Sequence, residues 1–140
     1  MPGEGEGAKV LVVDDNQNVR DSVSELVESV GYSVVQAHDS HSALDVLRSV
    51  NVGAILLDIR MPGGGGLEVL EAMDTPPLVI LMSGFPLSDE EHLEVDSKIF
   101  LHLVKPFHPR RLLEALSSAI GPPDSRREPR DAPGGAVDVT

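Results

Sequence analysis

Short apolar runs alternate along this chain with longer stretches in which apolar residues recur every three or four positions. Unbroken runs occupy residues 10–13, 54–57 and 78–82, and two further runs, at 32–36 and 99–104, include polar residues. Unbroken apolar runs of this length predict strands that are covered on both faces, as in a parallel sheet. The periodic stretches, at about 19–30, 40–50, 67–73, 88–95 and 109–120, predict amphipathic helices. We therefore predict an α/β fold, in which a five-stranded parallel sheet has helices on both faces.

Local signals mark several helix boundaries. Asp15 or Asn16 is suited to cap the first helix, and Ser88 with Glu91 has the spacing of a capping box. Pro109 stands where the last helix is expected to begin. The run of four glycines at 63–66 predicts a loop, because glycine weakens both helices and strands.

The two ends of the chain differ from its middle in composition. Residues 1–7 are acidic and rich in glycine, and residues 121–140 contain proline, glycine and charged residues but no leucine, isoleucine or phenylalanine. Such segments bury too little apolar surface to offset the entropy lost on ordering. We predict a flexible segment at 1–7, one folded domain at 8–120 and a disordered tail at 121–140.

Charge and composition narrow the class of function. The 140 residues include 23 acidic and 11 basic side chains, for a formal net charge of −12. This charge disfavours direct binding to nucleic acid and to anionic membrane surfaces. The chain has no cysteine, which excludes disulfides and thiolate metal sites, and no apolar run near the roughly 20 residues of a membrane helix. We expect a cytoplasmic protein with no membrane insertion.

Polar residues with a shared chemistry follow four of the five predicted strands. Asp14 and Asp15 follow the first, Asp58 the third, Ser83 with Gly84 the fourth, and Lys105 the fifth. Each alone is ordinary, because an aspartate after a strand is often a helix cap and Ser-Gly is often a turn. The carboxyl ends of parallel strands meet at one edge of the sheet, so the set predicts carboxylates, a hydroxyl and an ammonium group in one site. Oxygen ligands without histidine or cysteine favour Mg²⁺, and such a site suits phosphoryl transfer to an aspartate.

Four motifs in this order carry a resemblance to a known family. They are KVLVVDD at 9–15, AILLDIRMPGGGGLEVL at 54–70, LMSG at 81–84 and LVKPF at 103–107. From about residue 9 to 120 the chain resembles the receiver domain of two-component response regulators, which has a flavodoxin-like (βα)5 fold. The resemblance implies a phosphoacceptor rather than an enzyme with a separate substrate, although phosphorylation and dephosphorylation would be self-catalysed.

The resemblance also implies a role for each residue of the site. Asp58 would accept the phosphoryl group, Ser83 and Lys105 would contact it, and the backbone N–H of Gly84 would donate to it. The metal ligands would be Asp14, mostly through a water, Asp15, Asp58 and the backbone carbonyl of Arg60. The switch residues would be Ser83 and His102. The donor would be a phosphohistidine on a histidine kinase or phosphotransfer protein, and the output partner is unknown.

Two features depart from the family pattern. His102 stands where receivers usually have Tyr or Phe, so it is either a switch residue or a partly exposed edge residue, with Phe100 as a candidate substitute. The glycines at 63–66 replace larger residues beside the acceptor, which affects partner fit or the dephosphorylation rate. Receivers also use the surface of the fourth helix and fifth strand for partners, so a phosphorylation-dependent homodimer is one candidate assembly.

Other functions are compatible with parts of the pattern. A receiver-like binding module that is not phosphorylated would keep the fold without the Mg²⁺-dependent reaction. A Mg²⁺-dependent phosphatase with an aspartyl nucleophile would need a second aspartate two residues on, where this chain has Asn16 or Gln17. A carrier of flavin phosphate is disfavoured by the acidic first loop. The chain is either a stand-alone regulator or a receiver module of a longer protein such as a hybrid histidine kinase.

Overall fold

The computed structural model describes residues 9–61, 65–73 and 77–121, and strands and helices alternate along them. The strands are β1 (Lys9–Val13), β2 (Val34–Ala37), β3 (Val52–Asp58), β4 (Leu78–Ser83) and β5 (Leu101–Val104). The helices are α1 (Gln17–Ser29), α2 (Ser40–Ser49), α3 (Gly65–Ala72), α4 (Asp89–Val95) and α5 (Pro109–Ile120).

All five strands form one parallel sheet in the order β2-β1-β3-β4-β5. This confirms the predicted fold class. The chain passes from β1 to β2 on one side and then crosses to β3 on the other, so the direction of winding reverses between β1 and β3. In open α/β sheets ligands bind at such a switch point, beyond the carboxyl ends of the strands.

The sheet separates two apolar cores. Alternate strand residues point to opposite faces, so Leu11 and Ile55 pack with α2, α3 and α4, whereas Val12 and Leu56 pack with α1 and α5. All four of these side chains are fully buried. Burial on both faces explains why the three central strands, β1, β3 and β4, appear in the sequence as unbroken apolar runs rather than as alternating ones.

The structure confirms most of the helix boundaries. Asn16 is the residue that caps α1, since its side chain accepts a hydrogen bond from the N–H of Val19. Both hydrogen bonds of the capping box between Ser88 and Glu91 are present at α4, and Pro109 is in the first turn of α5.

Two edge strands start later than their apolar runs. The prediction of a strand at 32–36 is corrected to Val34–Ala37, and that at 99–104 to Leu101–Val104. Tyr32 is apolar and buried, but its hydroxyl donates to the carbonyl of Gly121 and its ring packs in the core beside α1 and α5. Tyr32 is therefore buried without belonging to the strand, so the predicted strand extended beyond the residues that pair with β1.

The prediction of a loop through residues 63–66 is wrong for the last two glycines, because α3 begins at Gly65. The N–H of Gly66 donates to the carbonyl of Ile59, and a Cβ atom at Gly66 would lie 2.7 Å from the carbonyl oxygen of Asp58. Glycine is needed here because the helix approaches the backbone of the preceding loop closely. The remaining residues of the predicted loop, 62–64, lie outside the described residues.

The predicted terminal segments also fall largely outside the described residues. Residues 1–8 and 122–140 are not among them, so the boundaries at 1–7, 8–120 and 121–140 stay predictions. No helix in the described part of the chain has the length and apolar character needed to cross a membrane.

We expect Gly66→Ala to destabilise the fold, because the added methyl group would collide with the backbone at Asp58 and Ile59. Overpacking of this kind typically lowers the free energy of unfolding by about 1–3 kcal/mol. Urea denaturation measures the change. Gly84→Ala is the matched control, since a Cβ atom there meets nothing within 4 Å. Equal stability of the two variants would contradict the close packing of Gly66 against the backbone of Asp58 and Ile59.

Candidate functional site: an acidic cluster at the carboxyl ends of the strands

The register of the central strands brings the predicted site residues together. Val13 of β1 pairs with Leu57 of β3, so Asp14 lies beside Asp58. On the other side of β3, Asp58 pairs with Met82, the residue before Ser83. Ser83 in turn pairs with Val104, the residue before Lys105. The polar residues that follow the strands therefore share one edge of the sheet.

Three carboxylates converge at this edge. Asp14, Asp15 and Asp58 each offer an oxygen, and these oxygens lie within 4.8 Å of one another. Asp14 is 1% exposed and Asp58 is 6% exposed, whereas Asp15 faces solvent. The N–H of Asn16 donates to Asp14 Oδ1 (2.9 Å) and that of Arg60 donates to Asp58 Oδ1 (3.1 Å). These bonds hold both buried carboxylates in place.

Lys105 supplies a positive charge between the two buried carboxylates. Its Nζ lies 3.0 Å from Asp14 Oδ2 and 3.6 Å from Asp58 Oδ2. The backbone places the side chain, since the N–H of Lys105 donates to the carbonyl of Ser83 at 2.6 Å. The Lys105–Pro106 peptide bond is cis.

The protonation of Asp58 reflects its surroundings. Burial raises the pKa of the Asp58 carboxyl above its ordinary value, and the charges of Asp14 and Asp15 act in the same direction. The hydrogen bond from Arg60 and the charge of Lys105 oppose this shift without cancelling it. One ammonium group for three carboxylates leaves an excess of negative charge, which a cation would relieve.

The donor set fits a hard divalent cation. Its ligands are carboxylate oxygens, which Mg²⁺ and Ca²⁺ prefer, and Mg²⁺ commonly uses one or two carboxylates together with water and phosphate oxygens. Asp15 is exposed, so the cluster is open to solvent on that side. The site can therefore accept both a partly hydrated ion and a phosphoryl group.

Ser83 makes a contact with His102 that sequence reasoning did not predict. The Ser83 hydroxyl is fully buried, donates to the carbonyl of Phe85 and lies 2.7 Å from Nε2 of His102. His102 is half-buried in the edge strand β5, which is compatible with the alternative of a partly exposed edge residue, and it also contacts Ser83. Phe100, the candidate substitute, precedes β5 and is 43% exposed. Gly84 follows Ser83 and is exposed.

A role for the side chain of Arg60 was also not predicted from the sequence. The resemblance involves only its backbone carbonyl, but its guanidinium forms two hydrogen bonds with the Glu91 carboxylate, at 3.0 and 3.1 Å. Glu91 belongs to the capping box of α4, so this ion pair ties the loop after Asp58 to the start of that helix. Because 31 residues separate the partners, no local sequence pattern links them.

Arg20 is a second residue whose role was not predicted from the sequence, and it stabilises the backbone at Asp14. Its Nη1 donates to the backbone carbonyl of Asp14 (2.7 Å), and its Nε donates to the Gln36 side chain (3.1 Å). Gln36 also donates to the hydroxyl of Ser24. In the sequence, Arg20 and Ser24 are one helical turn apart on α1. This spacing predicts that they share a face of the helix but does not predict which residues that face contacts.

Comparison with known proteins agrees with this geometry. The family model of the response regulator receiver domain matches residues 10–117. Transcriptional regulatory protein FixJ of Bradyrhizobium diazoefficiens is 34% identical over 117 residues, covering 79% of this chain and 56% of FixJ. Response regulator MprA of Mycobacterium tuberculosis is 34% identical over 128 residues, covering 89% of this chain and 54% of MprA. The chain thus spans about half the length of these relatives.

A solved structure supports the same fold. The chemotaxis protein CheY4 of Vibrio cholerae superposes with a TM-score of 0.72 at 30% identity, covering 80% of this chain and 98% of CheY4. A shorter similarity, 48% identity over 60 residues, relates 43% of this chain to 9% of the autoinducer sensor kinase/phosphatase CqsS of Vibrio cholerae.

We expect Asp58→Asn to raise the free energy of unfolding at pH 7 without divalent cations. The raised pKa of Asp58 means that folding disfavours its charged form, and the variant removes that charge. The gain should shrink as the pH falls toward about 4, where the carboxyl group is protonated in the unfolded chain as well. Urea denaturation across this pH range measures the effect.

Asp45→Asn is the control, because Asp45 is an exposed aspartate on α2. Addition of Mg²⁺ should stabilise the wild type more than Asp58→Asn, since a ligand of the folded state stabilises it by mass action. An Asp58→Asn variant that is less stable than the wild type at pH 7 would contradict the inference that the folded protein disfavours a negative charge at Asp58.

Proposed function

Because the chain belongs to the response regulator receiver domain family, we propose that Asp58 accepts a phosphoryl group from a phosphohistidine. The donor is a histidine kinase or a histidine phosphotransfer protein. The receiver domain is a regulatory phosphoacceptor, and we propose that it catalyses its own phosphorylation and the later hydrolysis. The observation that supports this most strongly is the placement of Asp58, a buried carboxylate flanked by two others and an ammonium group.

The transfer itself is a displacement at phosphorus. An oxygen of the ionised Asp58 carboxylate attacks, the new O–P bond forms, and the N–P bond of the donor breaks to release imidazole. Lys105 lies 3.6 Å from Asp58 and favours the ionised form that the attack requires. The same ammonium group is placed to contact the phosphoryl oxygens after transfer.

We propose that Mg²⁺ binds at the acidic cluster. Its ligands would be Asp15 and Asp58, with Asp14 acting mostly through a water and Arg60 through its backbone carbonyl. The bound ion would neutralise charge on the phosphoryl oxygens. The convergence of three carboxylate oxygens within 4.8 Å supports this assignment. The hydroxyl of Ser83 and the N–H of Gly84 would donate to the phosphoryl group.

Phosphorylation would change the surface that binds an output partner. Ser83 and His102 are the proposed switch residues; Ser83 pairs with β5, and the ring of His102 lies near His92 of α4. On α4, Leu93 is 85% exposed among the exposed acidic residues Asp89, Glu90 and Glu94. This mixed surface would form the output contact, and a phosphorylation-dependent homodimer is one form of it. Direct nucleic-acid contact is disfavoured by the charge of −12.

The same site would serve two kinds of protein. FixJ and MprA, by their names, are a transcriptional regulatory protein and a response regulator, whereas CqsS is a sensor kinase/phosphatase. A stand-alone regulator and a receiver module of a longer protein are both compatible with residues 9–121. A cytoplasmic location stays a prediction in either case.

The proposal predicts that the protein gains one phosphoryl group on incubation with Mg²⁺ and acetyl phosphate, measured by intact mass. Asp58→Asn should remain unmodified because it lacks the nucleophile, and EDTA should prevent the gain in wild type. Asp45→Asn should be modified like the wild type, since Asp45 lies on the exposed surface of α2.

Modification of Asp58→Asn to the same extent as the wild type would place the reaction at another residue. A folded wild-type protein that binds Mg²⁺ but gains no mass, also with a phosphorylated histidine phosphotransfer protein as donor, would contradict the proposal. That result would favour the alternative of a receiver-like binding module that is not phosphorylated.

A further inference from the structure

The hydrogen bonds of Ser83 can be assigned by counting protons. A serine hydroxyl has one proton to donate, and the carbonyl of Phe85 can only accept. The hydroxyl contacts both this carbonyl and Nε2 of His102, so its proton is used on Phe85. The proton in the contact with His102 must then come from the ring. His102 therefore carries a proton on Nε2 and donates it to Ser83.

The neighbours of His102 keep its ring in this orientation. The ring of His92, from α4, lies with its centroid 6.4 Å away at an interplanar angle of 81°, which is an edge-to-face arrangement. His92 itself is fixed by a contact of 3.0 Å between its Nδ1 and Asp96 Oδ1. Two elements, β5 and α4, thus position the donor to Ser83.

The partial burial of His102 favours a neutral ring. Burial lowers the pKa of His102, and His92 acts in the same direction, whereas Asp96 and Glu91 oppose it. A neutral ring with its proton on Nε2 and a protonated ring both donate from Nε2. The bond to Ser83 therefore survives a change in the protonation of Nδ1.

We propose that His102 is a positioning residue that, together with the Phe85 carbonyl, holds the Ser83 hydroxyl in a resting orientation. In this orientation the single proton of the hydroxyl is not available to a phosphoryl group on Asp58. Phosphorylation must first break the contact with Phe85 and turn the hydroxyl against the restraint from His102. The restraint is a hydrogen bond, which a phenylalanine at the same position cannot supply.

The first test measures the hydrogen bond without any phosphorylation. Nitrogen-15 NMR of the histidine rings should show His102 protonated on Nε2, with this proton protected from exchange with solvent. The His102→Gln spectrum assigns the signal. In Ser83→Ala the protection should be lost, because the acceptor is gone. A His102 ring protonated on Nδ1 alone, or equal protection in Ser83→Ala, would overturn the proposal.

The second test rests on the proposed function and uses beryllofluoride as a phosphoryl analogue in the presence of Mg²⁺. His102→Phe keeps an aromatic ring but removes the donor, whereas His102→Gln keeps an N–H near the position of Nε2. We expect His102→Phe to bind beryllofluoride roughly 2- to 10-fold more tightly than wild type, as for the loss of one hydrogen bond. His102→Gln should stay close to the wild-type affinity.

The controls separate the possible failures. His41→Phe changes an exposed histidine on α2 and should leave the affinity unchanged. If His102→Gln binds as tightly as His102→Phe, or if neither differs from wild type, the restraint is overturned. If wild type binds no beryllofluoride, the proposed function fails, and the NMR measurement still decides whether His102 restrains Ser83.

Discussion

Repulsion among the carboxylates of Asp14, Asp15 and Asp58 is the constraint around which this site is organised. The parallel register forces Asp14 and Asp58 to the same edge of the sheet, where both are almost fully buried. Lys105 is placed between them but balances only part of their charge. Burial raises the pKa of Asp58, and the remaining excess of negative charge acts in the same direction and makes the site receptive to a divalent cation. A phosphoryl group on Asp58 would add further negative charge and so would depend on Lys105 and on a bound cation.

The residues around the cluster hold it in place despite this repulsion. Arg20 bonds the carbonyl of Asp14, and the N–H groups of Asn16 and Arg60 bond the two buried carboxylates. The guanidinium of Arg60 also pairs with Glu91. The acceptor loop is therefore connected to α4 by an ion pair, and Ser83 is connected to the same helix through His102 and His92. Two chains of contacts therefore connect this edge of the sheet to α4.

The sequence was sufficient to predict the fold and which residues gather at the strand ends. Buried parallel strands produce unbroken apolar runs, and capping boxes depend on neighbours three residues apart, so both leave local patterns. The two glycines at the start of α3 were misassigned; Gly66 is needed because the helix approaches the backbone of Asp58 and Ile59 closely, which composition does not reveal. The pairs Arg60–Glu91 and Ser83–His102 join residues 31 and 19 positions apart, and a single sequence cannot show them. Only the three-dimensional arrangement turns His102 from an unusual substitution into a partner of Ser83.

The most direct measurement is a crystal structure of the protein with Mg²⁺ and beryllofluoride. We predict beryllium bonded to a carboxylate oxygen of Asp58, Mg²⁺ among the three aspartates, and the Ser83 hydroxyl turned from the Phe85 carbonyl toward a fluorine atom. Lys105 should contact another fluorine. Beryllofluoride bound at any other residue would contradict Asp58 as the phosphoacceptor, and a bound complex in which Ser83 still donates to Phe85 would contradict the proposed turn of the hydroxyl.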